Sequence, residues 1–298
     1  MLTYPPLNYI EPVFRPPSEA NSLILQVSNG CSWNECAFCE MYTAPQKTFR
    51  PKPQREIEEE LQRCASALRG VRRVFLADGD AMALSTKRLL DILLAIKKYL
   101  PSVSRVSSYC LPRNLKNKSV DELSELKELG LQLFYIGAES GNDTILDAVD
   151  KGETFKSTIA ALHKIKQAGI KSSVMIINGL GGKAYSEHHA IDSALLANEA
   201  QPEYLATLVL YFQQSEQRFR KAFPEFEMPS QRQLMREMQV FLSHLNLEKT
   251  IFRSDHASNY LVLKGVLNKD KDKLLNLIDS ALTEDSSIFL RSESSRGL

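Results

Sequence analysis

The sequence predicts an α/β protein built on a partial (β/α)₆ barrel of the TIM type, with a mainly helical C-terminal extension. Six apolar runs alternate with amphipathic stretches, and such alternation produces parallel strands with right-handed crossovers. The alternation spans about 190 residues, fewer than the ~250 of a full eight-unit barrel. Polar and glycine-rich segments follow the first, second, fourth and fifth strands, at the ends where such folds bind ligands. An open doubly wound sheet and a complete barrel with weak final strands remain alternatives.

The predicted strands are short, largely apolar runs bounded by turn residues. They are Leu23–Val27, Arg73–Ala77, Arg105–Tyr109, Leu131–Ile136, Lys171–Ile177 and Tyr204–Leu210. The helices are predicted from apolar residues at helical spacing, and a Ser119-x-x-Glu122 capping box marks one N-terminus. They are Gln54–Gly70, Ser85–Tyr99, Ser119–Leu129, Asn142–Ala168 with a break near Gly152, Glu187–Ala200, Gln231–Leu245 and Lys269–Leu282.

Changes in composition predict three parts of the chain. Residues 1–21 contain five prolines and read as an extended N-terminal arm. The arm is either solvated, as its Glu11 and Arg15 suggest, or it helps to cover the mouth of the site. Residues 22–228 form the partial-barrel core, and residues 229–298, where the alternation stops, form the helical extension.

Charge and hydropathy narrow the classes of function. The formal net charge is +1 with both signs interspersed, so no footprint for nucleic acid or for a membrane surface is visible. No run of eighteen apolar residues occurs, and the N-terminus does not resemble a signal peptide. The five cysteines, three of them bunched together, favour a metal site in a reducing compartment over a disulfide framework. A cytoplasmic protein is expected.

The chemistry of the chain centres on a loop directly after the first strand. Cys31, Cys36 and Cys39 are spaced C-x₄-C-x₂-C, and three thiolates on one loop suit an iron–sulfur cluster or zinc. A [4Fe–4S] cluster held by three cysteines leaves one iron open to substrate, whereas structural zinc needs a fourth protein ligand that the following residues do not offer. An open cluster is therefore favoured; zinc and plain buried cysteines are the alternatives.

This loop resembles the cluster loop of the radical S-adenosylmethionine (radical SAM) superfamily. The usual spacing there is C-x₃-C-x₂-C with an aromatic residue before the last cysteine, so this chain has one extra residue in the first gap. The resemblance implies that Phe38 lies near the adenine of S-adenosylmethionine and that the fold is a partial barrel. It also implies two cofactors, a [4Fe–4S] cluster and S-adenosylmethionine.

Further cofactor-binding residues follow from the same resemblance. Asp78-Gly79-Asp80 stands where the family carries a segment that accepts the methionine ammonium, although acids at a strand end can equally cap a helix. Glu139 and Ser140 lie in a segment similar to the Gly-x-Glu-Ser motif that holds the ribose or methionine end, and helix capping is again the alternative. Asn178 and Gly179 begin a glycine-rich turn that lets backbone approach adenosine, or serves only as a turn.

The combination of these segments, together with Lys151-Gly152, looks like a branch of the superfamily related to the oxygen-independent coproporphyrinogen oxidase and methylthiotransferase-like groups. The implied function is reductive cleavage of S-adenosylmethionine to a 5′-deoxyadenosyl radical that abstracts hydrogen from a small molecule. Such chemistry needs an external one-electron donor of the flavodoxin or ferredoxin kind. The rival hypotheses are a zinc-binding or cluster-carrying protein without catalysis, and an enzyme that transfers a group from S-adenosylmethionine without radicals.

Candidates for contact with the substrate are less sharply defined by the sequence. Tyr109 and Cys110 end the third strand, where they point to the mouth if the barrel forms, and Cys110 is otherwise a small packing residue. Arg253 and His256 belong to a polar stretch of the extension that no helical stripe explains, and the alternative is a surface loop.

Overall fold

The computed structural model describes residues 6–212, 216–283 and 290–296. The chain forms two compact units whose segments interleave along the sequence. The first unit consists of residues up to 34, 41–136 and 163–172, and the second of 35–40, 137–162 and the residues from 173 onward. The three-part division by composition remains a prediction.

The strands and helices have the following bounds. The strands are β1 (Leu23–Gln26), β2 (Ser28–Asn29), β3 (Arg50–Pro51), β4 (Arg73–Ala77), β5 (Arg105–Tyr109), β6 (Leu131–Glu139), β7 (Lys171–Asn178), β8 (Tyr204–Val209), β9 (Thr250–Ser254) and β10 (Leu263–Leu267). The helices are α1 (Gln54–Ala67), α2 (Thr86–Tyr99), α3 (Val120–Glu128), α4 (Asp143–Ala148), α5 (Phe155–Gln167), α6 (Gly182–Ala200), α7 (Gln217–Ala222), α8 (Gln231–His244) and α9 (Lys271–Leu282).

Parallel strands dominate the main sheet, which has eight strands among the described residues. Those of the first unit follow the order β1-β4-β5-β6, and those of the second follow β7-β8-β9-β10. In each unit the order in the sheet is the order along the chain, without the reversal that marks a doubly wound sheet. Strands β1 and β4–β8 coincide with the six predicted strands, so the predicted α/β barrel topology is confirmed.

The C-terminal extension contains more strand than the sequence indicated. Helices α8 and α9 lie where they were predicted, but β9 pairs in parallel with β8, and β10 pairs antiparallel with β9. Lys264 and Gly265 lie within β10, although both residue types are depleted in strands. Pairing with a neighbouring strand, rather than local preference, therefore produces these two elements.

Helix ends follow the local sequence closely. The hydroxyls of Ser85, Ser119 and Ser230 accept hydrogen bonds from backbone N–H groups in the first turns of α2, α3 and α8. The Ser119–Glu122 capping box is present with both of its hydrogen bonds. Each cap satisfies a donor that the helix itself leaves unpaired.

The N-terminal arm is held at two places on the first unit. The carbonyl of Ile10 accepts a hydrogen bond from Lys47 Nζ, and its N–H donates to Gln26 Oε1 at 2.9 Å, at the C-terminal end of β1. Further along, the fully buried Glu19 pairs with Arg105 at 2.7 Å. Glu11 and Arg15 are exposed. The arm therefore has solvated side chains, while its backbone lies against the strand end that leads into the cysteine loop.

Among the described residues, none of the helices combines the length and the apolar character that crossing a bilayer would take.

Candidate active site

In the first unit, two glycines bring the cysteine loop against the end of β4. Gly79 has φ +76°, and a Cβ on it would lie 2.3 Å from the carbonyl oxygen of Gly30. Gly30 has φ +73°, and a Cβ on it would lie 1.9 Å from the carbonyl oxygen of Lys47. Only glycine fits both the backbone angle and the space. The turn after β4 and the backbone just before Cys31 are thus in direct contact.

Asp80 lies beside the residue that follows the first cysteine. Its side chain is fully buried, and its Oδ2 accepts hydrogen bonds from Ser32 Oγ and from Asn114 Nδ2, the latter at 3.3 Å. Burial raises the pKa of Asp80, while these hydrogen bonds and the charge of Lys118 offset part of that rise. Within the described residues, Asp80 Oδ1 has no hydrogen-bond partner. Such an atom is costly to bury and marks a place where a ligand cation would be stabilised.

Asp78 has a different environment although it belongs to the same segment. Its carboxylate forms an ion pair with Lys47, and both side chains are fully buried. Its carbonyl oxygen accepts hydrogen bonds from Ser28 Oγ at 2.7 Å and from the N–H of Asp80 at 2.9 Å. Breaking a buried ion pair costs about 3–5 kcal/mol. The Asp78 side chain therefore helps to fix the loop, and its Oδ1, like Oδ1 of Asp80, has no hydrogen-bond partner among the described residues.

In the second unit, the rest of the cysteine loop is anchored by an apolar cluster. Ala37 is buried among Ile145, Val149 and Phe219, and Phe38 packs against the same cluster. The N–H of Ala37 donates to the carbonyl of Val149 at 2.9 Å. Cys36 and Cys39, which flank this anchor, are half-buried.

Glu139 ends β6 and pairs with a buried lysine. It has a left-handed backbone (φ 67°), which is uncommon for a non-glycine residue and is found at functional sites. Its Oε1 lies 3.2 Å from Lys151 Nζ. Burial by itself lowers the pKa of Lys151, but the charges of Glu139, Cys36 and Cys39 together outweigh it, so the pKa is raised. Lys151 is therefore a buried, charged ammonium close to two of the loop cysteines.

Ser140 and Gly179 belong to one buried hydrogen-bond network. Ser140 Oγ is hydrogen-bonded to His189 Nδ1 at 2.8 Å, and His189 Nε2 to the carbonyl of Ile177 at 2.9 Å. The N–H of Gly179 donates to Glu237 Oε1 at 2.6 Å, and Ser186 Oγ donates to the other oxygen of that carboxylate. Asn178 Nδ2 donates to the carbonyl of Leu234 at 3.3 Å. Helix α8 of the extension thus holds the predicted adenosine-binding turn.

The substrate candidates are spread over different surroundings. In the first unit, Tyr109 is half-buried with its ring edge-on to Phe75 at 5.1 Å, whereas Cys110 is buried. In the second unit, Arg253 is exposed on β9, and His256 is half-buried with its Nδ1 2.9 Å from Ser258 Oγ. Burial lowers the pKa of His256. These contacts assign no role to either pair, so contact of the four residues with the substrate remains a prediction.

Several residues with buried charge or hydrogen-bonding roles were not predicted from the sequence. They are Lys47, Asn114, Lys151, His189 and Glu237. Lys151 was part of the pattern on which the resemblance rested, but nothing in the sequence showed that it would be buried. Glu237 lies between the buried Leu234 and Met238 of α8. A carboxylate among apolar helix positions is the one feature of the sequence that indicates a buried position for Glu237.

The residues present suit an iron–sulfur cluster in their chemistry. All five cysteines carry thiols rather than disulfides, and the three of the loop are half-buried. Lys151 supplies a positive charge near two of them, which favours thiolates and an anionic cluster. Across the described ranges, no three His, Cys, Asp or Glu side chains are gathered closely enough to hold a metal ion by themselves. The ligand assignment therefore comes from the loop sequence and the chemistry of its donors.

Fold and site together define an α/β protein with parallel strands, a three-cysteine loop after the first strand and buried acids after the strands that follow. The model of the radical SAM superfamily matches residues 25–194, which is more than half of the chain. The chain belongs to the radical SAM superfamily. Members of this superfamily use a [4Fe–4S] cluster and S-adenosylmethionine.

Individual relatives cover only part of their own length. An uncharacterized methyltransferase of Pyrococcus horikoshii is 29% identical over 56% of this chain and 35% of the relative. The heme chaperone HemW of Bacillus subtilis is 23% identical over 42% of this chain and 34% of the relative. The coproporphyrinogen III oxidase HemN of Escherichia coli, a radical SAM enzyme, superposes with a TM-score of 0.57 at 16% identity over 74% of this chain and 52% of HemN. The chain thus spans about a third of the curated relatives it matches, and HemN shares its fold.

Proposed function

We propose that this chain is a radical SAM enzyme in which Cys31, Cys36 and Cys39 ligate a [4Fe–4S] cluster that cleaves S-adenosylmethionine reductively. When bound, the cluster supplies one electron to the sulfonium, which yields methionine and a 5′-deoxyadenosyl radical that abstracts hydrogen from a small-molecule substrate. Membership of the superfamily supports the class of reaction. The substrate is a small molecule that the site does not yet specify.

The observation that carries this proposal is the environment of Asp80. A fully buried carboxylate keeps one oxygen without a hydrogen-bond partner among the described residues, while its other oxygen binds Ser32, the neighbour of Cys31. An ammonium is the complementary ligand, because a buried carboxylate is stabilised by a cation within hydrogen-bond distance. Asp80 would therefore hold the ammonium of the methionine moiety next to the cluster loop.

The family resemblance implies that other predicted residues would hold the remainder of the cofactor. Phe38 offers an aromatic face for adenine, and Glu139 offers carboxylate oxygens for ribose hydroxyls. The turn at Gly179 has φ +87°, packs against Leu234 and is held by Glu237 through its backbone N–H. The family resemblance implies that this turn would lie near adenosine. Apolar packing around Ala37 keeps water from the inner side of the loop.

The electron must come from another protein. The two cysteines outside the loop, Cys64 and Cys110, are both buried, and burial raises the pKa of the Cys64 thiol to about 11, so they offer no ligand set for a second cluster. A flavodoxin-like or ferredoxin-like one-electron donor is the partner this chemistry needs.

Methyl transfer from S-adenosylmethionine is the second candidate, because the Pyrococcus horikoshii relative carries the name of a methyltransferase. Its product distinguishes it, since transfer of the methyl group leaves S-adenosylhomocysteine. A protein that only carries a cluster or zinc would bind no S-adenosylmethionine and would have no use for the acid at Asp80.

The proposed function is tested on anaerobically reconstituted protein that is reduced with dithionite and mixed with S-adenosylmethionine. We expect 5′-deoxyadenosine by chromatography, and none from a Cys36→Ala variant that has lost its cluster absorbance. S-adenosylhomocysteine as the main product would favour the methyl-transfer candidate. Protein that holds only zinc, or a Cys36→Ala variant that keeps its full cluster, would refute the assignment.

Replacing Asp80 with asparagine is expected to weaken binding of S-adenosylmethionine while the cluster is retained. Asparagine preserves the shape and an acceptor for Ser32, but it removes the charge, and a hydrogen bond to a charged group contributes about 1.5–3 kcal/mol, or roughly 10- to 150-fold in Kd. Equilibrium dialysis of the reconstituted protein measures Kd, with the exposed Asp121→Asn as the matched control. An unchanged Kd would leave Asp80 only its structural contact with Ser32.

A further inference from the structure

Lys151 is a buried lysine beside the second half of the cysteine loop. Its side chain is 4% exposed, and its Nζ lies 5.8 Å from the centroid of the Phe38 ring. Against the effect of burial, the charge of Glu139 and the thiolate charges of Cys36 and Cys39 raise the pKa of Lys151. The backbone hydrogen bond from Ala37 to Val149 ties the loop to the segment that carries this lysine. The contact with the Phe38 ring and the backbone tie at Ala37 therefore place one positive charge beside the loop segment that carries Cys36 and Cys39.

The backbone fixes this position. Helix α4 ends at Ala148, and the chain turns through two left-handed residues, Asp150 (φ 51°) and Gly152 (φ 67°), on either side of the lysine. The N–H of Lys151 donates to the carbonyl of Leu146 at 2.9 Å. A lysine held in this way cannot move its charge into solvent, unlike a lysine on an exposed helix.

Glu139 balances the charge only in part. Its Oε1 lies 3.2 Å from Lys151 Nζ, and Gly137 makes room for this carboxylate, since a Cβ there would lie 1.9 Å from the same oxygen. The carboxylate contacts the lysine, whereas the lysine contacts both the carboxylate and the loop. The positive end of the pair therefore lies beside the loop segment that contains Phe38, between Cys36 and Cys39 in the sequence.

We propose that Lys151 sets the reduction potential of the cluster by holding a fixed positive charge next to Cys36 and Cys39. The inference rests on the proposed ligation of the cluster by the loop. Reduction adds one electron, from the external donor or from dithionite, to the cluster, and a nearby positive charge stabilises the reduced form. Net charge around a cluster is one of the factors that set its potential, and the effect of a charge is larger in a buried, low-dielectric site.

The experiment is a potentiometric titration of the reconstituted cluster followed by electron paramagnetic resonance, at one pH and without S-adenosylmethionine. Lys151→Met is expected to make the midpoint potential more negative by at least about 59 mV, which for one electron corresponds to a tenfold change in the ratio of oxidised to reduced cluster. Lys151→Arg, which keeps the charge, is expected to stay near the wild-type potential. Glu139→Gln is expected to shift the potential in the opposite direction, since the lysine is then unopposed.

Lys156→Met is the matched control, because Lys156 is exposed on α5 and the same charge is lost there. A midpoint potential that is unchanged in Lys151→Met, or that moves as far in Lys156→Met, would overturn the inference. If Lys151→Met fails to hold a cluster, Glu139→Gln decides: an unchanged or more negative potential overturns the inference, and a less negative one supports it. If reconstituted wild-type protein holds no iron and sulfide, both the proposed function and this inference are refuted. An unchanged potential in protein that holds the cluster refutes this inference alone.

Discussion

Replacing Gly79 with alanine is expected to lower the free energy of unfolding by about 2–5 kcal/mol and to displace the cysteine loop. Two costs combine at this position. The backbone has φ +76°, which costs an L-residue about 1–2 kcal/mol. The new Cβ would also lie 2.3 Å from the carbonyl oxygen of Gly30, so backbone, which has no rotamer to change, must move.

Gly70 supplies a matched control for this substitution. It has φ +67°, and no atom lies within 4 Å of the position a Cβ would take. Gly70→Ala is therefore expected to cost only the backbone term of about 1–2 kcal/mol. Urea denaturation of the two variants, with iron content after reconstitution, separates the clash from the backbone cost. Equal destabilisation, with equal iron content, would show that the contact between Gly79 and Gly30 does not hold the loop.

Most of the six parallel strands were predictable because buried strands in such sheets contain apolar runs, whereas β5, with Ser107 and Ser108 at its centre, was predictable from its place in the alternation. The run Val74-Phe75-Leu76-Ala77, for example, is buried throughout β4, and nothing but burial on both faces explains such a run outside a membrane. Strands β9 and β10 carry no such signal. Arg253 is exposed in β9, and Gly265 lies in the middle of β10, so these strands depend on pairing that the local sequence does not encode.

The candidate site likewise contains residues that the sequence indicates and partner residues that it does not. Asp80 and Glu139 could be named from the sequence because each is a polar residue at the end of a parallel strand, where such folds bind ligands; their roles toward a cofactor remain predictions. The buried lysines that pair with Asp78 and Glu139 were not predictable. Lys47 and Lys151 are lysines at 1% and 4% exposure, and lysine is almost never buried unless it is paired. Pairing depends on which distant segments approach each other, so the sequence did not reveal that Asp78 pairs with Lys47 whereas Asp80 accepts from Ser32 and Asn114.

Glu237 of α8 shows that the C-terminal extension contributes a polar side chain to the buried core. Its carboxyl group is surrounded by Gly179, Ser186 and His189, and it lines a cavity of about 10 Å³, which has room for at most about one water molecule. Burial therefore raises the pKa of Glu237 to about 7, and hydrogen bonds from Ser186 and Gly179 offset only part of the effect. Burial lowers the pKa of the neighbouring His189 to about 4.

These two groups give stability opposite dependences on pH. Glu237 binds its proton more tightly in the folded chain, so its contribution is fully present below pH 4.5 and is lost as the pH rises towards about 7. His189 binds its proton less tightly when folded, so its contribution is present above pH 6.5 and is lost as the pH falls towards about 4. The two contributions oppose each other between pH 4.5 and 6.5, which hides both in the wild-type profile.

Glu237→Gln is expected to reveal the hidden contribution of Glu237. Glutamine cannot ionise, and its amide can still accept from Gly179 and donate to Ser186. The difference in free energy of unfolding, variant minus wild type, is therefore expected to shift in favour of the variant by about 3 kcal/mol between pH 4.5 and 8. His189 is present in both proteins, and the double variant with His189→Gln measures its coupling to Glu237, since the two side chains lie 3.8 Å apart. Urea denaturation across this range measures the difference, with the exposed Glu225→Gln as control. Parallel profiles for Glu237→Gln and wild type would mean that water reaches the carboxylate and that α8 does not seal the turn at Gly179.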